Sequence, residues 1–204
     1  MTVTRLFPAI LAITTLASTA TPSVAASAMM QPGQLRSALE HGGFVILLRH
    51  ADTDKSRKDQ PNLDLADCKT QRVLTPKGRM NARAIGQAVD RFNIAIGEVI
   101  SSPLCRTLWT GELAFGHAEA NPGLREPKMK NNETGKAAAA VLAPLISAVP
   151  MDGVDTVVVT HGFNIKSVTG FQPAEGEAVI IKPRGNGSFT VVGRILSSQW
   201  ASLS

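Results

Sequence analysis

The sequence predicts an α/β fold in which strands and helices alternate and the strands lie mostly parallel in one central sheet. Three short apolar runs indicate strands, at 44–48, at Val99-Ile100 and at 156–160. Continuous apolar runs are typical of strands that helices cover on both faces, as in a parallel sheet. The length of 204 residues suits a single domain with one apolar core.

Helical segments separate these strands. One of them opens at Thr75-Pro76, where threonine is a favoured cap and proline a favoured first residue, and apolar residues from Met80 to Phe92 follow one face of it. The other helices are predicted at 32–41, from a cap at 101–103 to about Phe115, at 136–149, and briefly after Gly162.

Two irregular stretches and a hairpin complete the chain. Residues 52–73 are polar without a clear period and indicate a long loop, which in a compact domain is often functional. Residues 116–135 form a second variable stretch. Residues 178–182 and 189–195 predict a hairpin across Gly185-Asn186-Gly187.

The N-terminus predicts a signal peptide over residues 1–28, followed by one domain over 29–204. Arg5 provides the positive charge, 6–16 is a short apolar stretch, and the small residues at 24–28 fit a cleavage site. A stretch this short disfavours a membrane anchor, which needs about 20 apolar residues. We therefore expect a periplasmic or secreted protein without a membrane span after removal of the signal.

The charge balance favours an anionic partner. The full chain carries a net charge of +5, and removal of Arg5 lowers the mature value to about +4. The basic residues are scattered without a Lys/Arg run, which disfavours nucleic acid. The two cysteines, Cys68 and Cys105, lack the spacing of a zinc site, and in an exported protein they are expected to be joined.

The residues with chemical potential follow three predicted strands. Arg49-His50 follows the first, Arg106 lies in the first turn of the helix after the second, and His161 follows the third. Ligands of open α/β sheets bind beyond the carboxyl ends of the strands, so these four side chains are expected at one edge. Two guanidiniums and two imidazoles suit a phosphoryl group, whose charge they neutralise without a metal or a cofactor.

Four ordered motifs resemble the histidine phosphatase superfamily, branch 1, the phosphoglycerate mutase-like group. They are Leu48-Arg49-His50-Ala51-Asp52-Thr53, Leu74-Thr75-Pro76-Lys77-Gly78, Ser101-Ser102-Pro103-Leu104-Cys105-Arg106-Thr107 and Val159-Thr160-His161-Gly162. The resemblance implies a three-layer α/β/α sandwich and a phosphatase that works through a phosphohistidine.

The resemblance also implies roles for individual residues. His50 is the expected nucleophile, and Arg49, Arg106 and His161 are expected to bind the phosphate. A carboxylic acid protonates the leaving group in this family, and the candidates here are Glu126 and, as the alternative, Glu133. The expected substrate is a small phosphorylated compound, such as a phosphosugar or a phosphate of the cell envelope.

The chain departs from the common pattern of the family in two places. Ala51 replaces the usual glycine after the histidine, and the polar insertion that follows is long and contains Cys68. With the signal peptide, these features are similar to an exported subgroup that includes the lipopolysaccharide core heptose-phosphate phosphatases. We expect a disulfide between Cys68 and Cys105 that fixes the insertion over the pocket.

Three other functions are compatible with parts of the pattern. A mutase is disfavoured, because it requires a closed pocket that excludes water and because the chain is short for such an enzyme. A phosphate-binding or surface-interaction module without turnover remains open because the acid is unassigned. A metallohydrolase using Asp52, Asp54 and a histidine is disfavoured because no metal-binding motif is present.

Overall fold

A computed structural model of the chain describes Met1 and residues 29–203. The predicted signal peptide therefore lies, except for Met1, outside the described residues. None of the helices among these residues is long and apolar enough to cross a membrane.

The centre of the fold is a six-stranded sheet with the order β3-β2-β4-β1-β5-β6. The strands are β1 (Val45–Arg49), β2 (Ile96–Ser101), β3 (Glu119–Ala120), β4 (Asp155–Thr160), β5 (Ala178–Gly185) and β6 (Ser188–Ile195). The four strands β3, β2, β4 and β1 are parallel, and the hairpin of β5 and β6 adds an antiparallel edge beside β1. The mostly parallel α/β sheet is as the sequence predicts.

Helices cover both faces of the sheet, which gives the three layers. They are α1 (Pro32–His41), α2 (Pro76–Arg91), α3 (Cys105–Phe115), α4 (Asn132–Ser147) and α5 (Gly162–Thr169). Alternate side chains of β1 point to opposite faces: Ile46 and Leu48 pack with α1, α2 and α3, and Val45 and Leu47 pack with α4 and α5. The continuous apolar runs therefore reflect burial on both faces.

The buried face of α2 includes Ile85, Ala88 and Val89 as predicted, and differs from the prediction at Met80. Met80 is 63% exposed, whereas small residues such as Ala82 and Gly86 are buried together with Ile85. A Cβ on Gly86 would lie 2.4 Å from the backbone oxygen of Ala114, so the missing side chain allows α2 and α3 to approach closely. Small residues therefore share this face with Ile85 and Val89.

Two element boundaries also differ, and one strand is additional. Helix α3 begins at Cys105 instead of directly after 101–103, and α4 begins at Asn132, where the Asn131 side chain accepts from the Thr134 amide at 2.9 Å. Strand β3 was not predicted, because two residues carry no periodic signal. It extends the sheet beyond β2.

Candidate active site

The site lies at the carboxyl ends of the adjacent parallel strands β2, β4 and β1. Arg49 is the register partner of Thr160, and Ser101 is the partner of Val159, so the three strands end at the same level. The backbone amide of His50 donates to the carbonyl of Thr160 at 3.0 Å. This register brings the residues after each strand to one edge, as the sequence predicts.

His50 lies buried at this edge with 1% of its surface exposed. Its Nδ1 is 2.9 Å from the carbonyl oxygen of Ala51. A protonated Nδ1 that donates to this carbonyl leaves the lone pair on Nε2. Burial, followed by the charges of Arg106, Arg49 and Arg72, holds the pKa of His50 well below its ordinary value, against the opposing effect of the Ala51 hydrogen bond.

His161 lies opposite His50, at the start of α5. The two rings meet edge to face with centroids 5.5 Å apart. Its Nε2 is 2.8 Å from Ser102 Oγ, and its Nδ1 is 3.9 Å from Glu126 Oε2. Complete burial and the positive charge of Arg106 lower the pKa of His161 well below its ordinary value.

Arg49 reaches the same edge from the end of β1. Its Nη1 donates to the carbonyl of Pro173 at 2.7 Å, and its Nη2 lies 3.5 Å from Glu175 Oε1. A Cβ on Gly162 would lie 3.4 Å from the guanidinium carbon and 2.3 Å from the Gln172 side chain, so glycine at this position leaves room for both. His161 thus contributes an imidazole ring, and Gly162 leaves space beside it for the Arg49 guanidinium.

Arg106 is almost completely buried, with 1% of its surface exposed, and two carboxylates hold it. Its Nη1 donates to both oxygens of Asp59 at 3.2 Å, and its Nη2 donates to Glu126 Oε2 at 3.3 Å. Burial lowers the pKa of Arg106, and the charge of Asp59 opposes that effect. Asp59 belongs to the polar insertion, so the insertion contacts the site directly.

The structure distinguishes the two candidate acids. Glu126 contacts Arg106, its Oε1 pairs with Lys130 at 2.7 Å, and it is the acidic residue near His161. Glu133 lies exposed in the first turn of α4. The geometry therefore brings together Arg49, His50, Arg106, Glu126 and His161, and leaves Glu133 outside.

Two residues of the cluster were not predicted as functional. Arg72 pairs with Glu175 at 3.4 Å and donates to the hydroxyl of Thr53. The Glu175 side chain is 8% exposed and contacts Arg49, Arg72 and Thr53, so it links two guanidiniums at the edge of the site. Arg72 lies here because Leu74 bridges back to Thr53 and closes the insertion at its base. This contact leaves no periodic pattern in the sequence.

The expected disulfide joins Cys68 to Cys105, one residue before Arg106. The backbone amide of Cys105 also donates to the side-chain oxygen of Gln71 at 2.9 Å. The far part of the insertion is therefore attached to the start of α3, next to the arginine that Asp59 contacts.

Three buried nitrogen atoms of the cluster have no hydrogen-bond partner among the described residues: Nε of Arg49, Nε of Arg106 and Nδ1 of His161. Buried donors are normally satisfied, so such atoms in a polar cluster call for an acceptor. A tetrahedral oxyanion offers several acceptor oxygens and the charge that guanidiniums bind best. In the part of the chain that the structure describes, no group of three His, Cys, Asp or Glu residues is arranged to hold a metal ion.

Comparison with known proteins agrees with this geometry. The family model of the histidine phosphatase superfamily (branch 1) matches residues 45–143, which include His50, Arg106 and Glu126. The matched residues are just under half of the chain. The solved structures share the fold of this chain. A comparison with curated protein sequences finds no significant match.

Three solved structures illustrate the likeness. The phosphoserine phosphatase of Entamoeba histolytica, in complex with 3-phosphoglyceric acid, has a TM-score of 0.56 and 18% identity over 78% of this chain and 98% of its own. The protein histidine phosphatase SixA, complexed with tungstate, has a TM-score of 0.52 and 18% identity over 76% and 98%. Phosphoglycerate mutase of Bacillus anthracis has a TM-score of 0.53 and 16% identity over 81% and 98%. At these identities the comparison establishes a shared fold with phosphatases and a mutase.

Proposed function

We propose that this chain is a phosphomonoesterase that transfers a phosphoryl group to Nε2 of His50 and then to water. The observation that carries the proposal is the orientation of His50, whose Nδ1 contacts the Ala51 carbonyl and whose Nε2 has no hydrogen-bond partner among the described residues. The low pKa of His50 keeps the ring neutral, as a nucleophile requires.

The phosphate is held by cations and by buried donors. Arg49 and Arg106 each have an unpaired buried Nε, and Arg72 lies within 3.4 Å of the carboxylate that also contacts Arg49. Guanidiniums stabilise the charge on the equatorial oxygens of the transferring group. His161 adds a ring nitrogen to the same cluster.

The reaction proceeds in two balanced steps. In the first, the lone pair of His50 Nε2 forms a bond to phosphorus, the bond from phosphorus to the leaving-group oxygen breaks, and that oxygen takes a proton from Glu126. In the second, water attacks phosphorus, Glu126 recovers a proton from the water, and the N–P bond breaks. Inorganic phosphate leaves and His50 is neutral again.

Glu126 is proposed as the proton donor because its carboxylate approaches both Arg106 and the ring of His161. Its Oε2 lies 3.3 Å from Arg106 and 3.9 Å from His161. Glu133 serves as a matched control, since it is an exposed carboxylate in the first turn of α4.

The test uses two substrates with different leaving groups, p-nitrophenyl phosphate and glycerol 3-phosphate. We expect wild type to hydrolyse both and His50→Ala to hydrolyse neither. Glu126→Gln is expected to lose much more activity on the alkyl ester than on p-nitrophenyl phosphate, because only a poor leaving group needs the proton. Equal losses on both esters would refute the role of Glu126, and full activity in His50→Ala would refute the mechanism.

One observation favours a second function, a phosphate-binding module with little turnover. Asp59 engages Arg106 through both carboxylate oxygens at 3.2 Å, and a substrate phosphate must compete with it for this guanidinium. The same assay separates the two functions. Binding of inorganic phosphate without turnover of either ester would favour the module.

Export and a role like that of the exported heptose-phosphate phosphatases are also part of the proposal. The Cys68–Cys105 disulfide supports export, because such bonds persist in oxidising compartments. The mass of the protein recovered from the periplasm tests this. We expect a chain that starts near residue 29 with no free thiol, and an intact N-terminus with two thiols would contradict it.

A further inference from the structure

One carboxylate at the edge of the site has no role in the proposed mechanism. Glu175 lies in the loop that joins α5 to β5, and 8% of its side chain is exposed. The same loop bonds to the backbone around the nucleophile. The amide of Gly176 donates to the carbonyl of His50 at 2.9 Å, and the carbonyl of Glu177 accepts from the amide of Arg49 at 3.0 Å. These backbone bonds fix the position of Glu175 relative to His50.

The carboxylate of Glu175 accepts hydrogen bonds from three other segments of the chain. Its Oε1 accepts from the Thr53 hydroxyl at 2.8 Å and lies 3.5 Å from Arg49 Nη2 and 3.4 Å from Arg72 Nη1. Its Oε2 accepts from the backbone amide of Thr53 at 3.3 Å. Arg72 also donates to the Thr53 hydroxyl. Glu175 thus joins the end of β1 to both ends of the polar insertion.

The contacts of Arg49 indicate what this arrangement achieves. The 171–177 loop engages the two outer nitrogens of its guanidinium: Nη1 donates to the Pro173 carbonyl at 2.7 Å, and Nη2 contacts Glu175. The remaining nitrogen, Nε, is buried and has no partner among the described residues. Because the donors of a guanidinium form a rigid planar fork, contacts to the Nη groups also fix the direction of the Nε–H bond. The loop therefore leaves Nε as an oriented donor.

The charge of Glu175 also stabilises two cations that lie side by side. Burial lowers the pKa of Arg49, the charge of Glu175 is the largest effect that opposes burial, and the charge of Arg72 lowers the pKa further. The side chains of Arg49 and Arg72 are 22% and 21% exposed, so solvent screens their repulsion only in part. We expect the two guanidiniums to move apart when the carboxylate between them is removed.

We propose that Glu175 is a positioning residue, which holds Arg49 and Arg72 in the orientation in which they bind the transferred phosphoryl group. Glu175 acts through these two guanidiniums and does not contact the substrate itself. The inference depends on the proposed function for the identity of the bound group. Such placement matters for the rate, because a displacement of about 1 Å in an active site can cost about a hundredfold.

The positioning role predicts an effect of opposite sign to that of charge alone. If Glu175 only placed a negative charge beside the pocket, Glu175→Gln would make the site more positive and would tighten the binding of an anion. If Glu175 orients the guanidiniums, the same substitution weakens binding, because an arginine that turns away loses a charge-assisted contact. Binding of inorganic phosphate distinguishes the two effects.

Calorimetric titration with inorganic phosphate gives the dissociation constants of wild type, Glu175→Gln, Arg49→Gln and the double variant. We expect the constant to rise about tenfold in Glu175→Gln, which is about the effect of one charge-assisted contact. When Glu175→Gln is added to Arg49→Gln, the rise is expected to be smaller, because Glu175 has then lost one of the groups through which it acts. Equal or tighter binding in Glu175→Gln, or independent effects in the double variant, would overturn the proposal.

Two further variants control for charge and for folding. Glu133→Gln removes an exposed carboxylate outside the cluster and is expected to bind phosphate like wild type. Glu175→Asp keeps the charge but shortens the side chain by one methylene, and is expected to bind phosphate more weakly than wild type. Urea unfolding shows which variants are folded under the conditions of the titration. If Glu175→Gln does not fold, wild-type affinity in Glu175→Asp would refute the positioning role.

Turnover separates a positioning residue from a proton donor. The kcat/KM of Glu175→Gln is expected to fall by the same factor on p-nitrophenyl phosphate and on glycerol 3-phosphate, because the orientation of the guanidiniums affects both esters alike. A much larger loss on glycerol 3-phosphate would identify Glu175 as an acid and overturn the proposal.

The titrations need no turnover, so the two proposals fail separately. Weaker phosphate binding in Glu175→Gln supports the positioning role even if wild type hydrolyses neither ester. Unchanged binding in a folded Glu175→Gln refutes that role and leaves the phosphatase proposal standing on its own assay.

Discussion

The disulfide of the insertion permits a prediction whose size follows from the structure. Cys68 and Cys105 are separated by 37 residues, and the bond prevents this stretch from opening when the protein unfolds. The chain-entropy relation gives about 4 kcal/mol of stabilisation for a loop of this length. Replacement of both cysteines by alanine is therefore expected to lower the free energy of unfolding by about that amount.

Urea unfolding followed by tryptophan fluorescence measures the effect, since Trp200 is buried in the core. Wild type treated with reductant is expected to approach the stability of the double variant, and the reductant is expected to leave that variant unchanged. A loss below about 1 kcal/mol would refute the reasoning that the bond acts on the unfolded chain. We also expect a higher KM, because Gln71 would no longer be fixed beside the start of α3, where Arg106 lies.

Three further predictions concern charge and pH. Arg72→Gln is expected to weaken inhibition by inorganic phosphate roughly tenfold or more, because a charge-assisted contact contributes about 1.5–3 kcal/mol, and the inhibition constant measures this. In wild type, kcat/KM is expected to stay constant as the pH falls below 6.5 and to drop only near the lowered pKa of His50. In Arg72→Gln this drop is expected at a higher pH, because the charge of Arg72 helps to lower the pKa of His50. Burial raises the pKa of Asp155 from 3.8 to about 7. Between these two pH values the folded state keeps a proton that the unfolded state has lost. The stabilisation is therefore fully present below pH 3.8 and is lost as the pH rises through 7. Between pH 5 and pH 8 wild type is expected to lose about 2–3 kcal/mol relative to Asp155→Asn in urea unfolding.

Each of these has a control or a contrary outcome. Arg57→Gln removes a cation from the same insertion, but Arg57 is exposed and its guanidinium donates to the carbonyl of Lys69, so its phosphate inhibition should match wild type. An acid limb that is identical in wild type and Arg72→Gln would show that the limb does not report His50. Parallel pH dependence of stability in wild type and Asp155→Asn would show that Asp155 is ionised in the folded protein throughout this range.

The sequence predicts the principal site residues because the topology places them. Arg49, His50 and His161 directly follow strands, and parallel strands that are neighbours in the sheet bring such positions together regardless of the loops between them. Glu126 was named from its position after the Arg106 helix, and the structure brings it to Arg106 through a loop whose path the sequence does not specify.

The missed features depend on contacts between distant segments. Arg72 reaches the site because Leu74 pairs with Thr53, and Glu175 does so because the 171–177 loop folds over the end of β1. Neither contact leaves a period or a motif. Met80 was wrongly placed on the buried face, because hydrophobicity alone ranks it above the small residues that allow α2 and α3 to approach.

The central claim is a covalent phosphohistidine on His50, and rapid-quench labelling tests it most directly. The enzyme is mixed with a ³²P-labelled monoester, quenched in alkali, digested and mapped by mass spectrometry. The account predicts label on the peptide that contains His50, stable in alkali and lost in acid, and no label in His50→Ala. Turnover with no labelled intermediate, or acid-stable label on another residue, would contradict it.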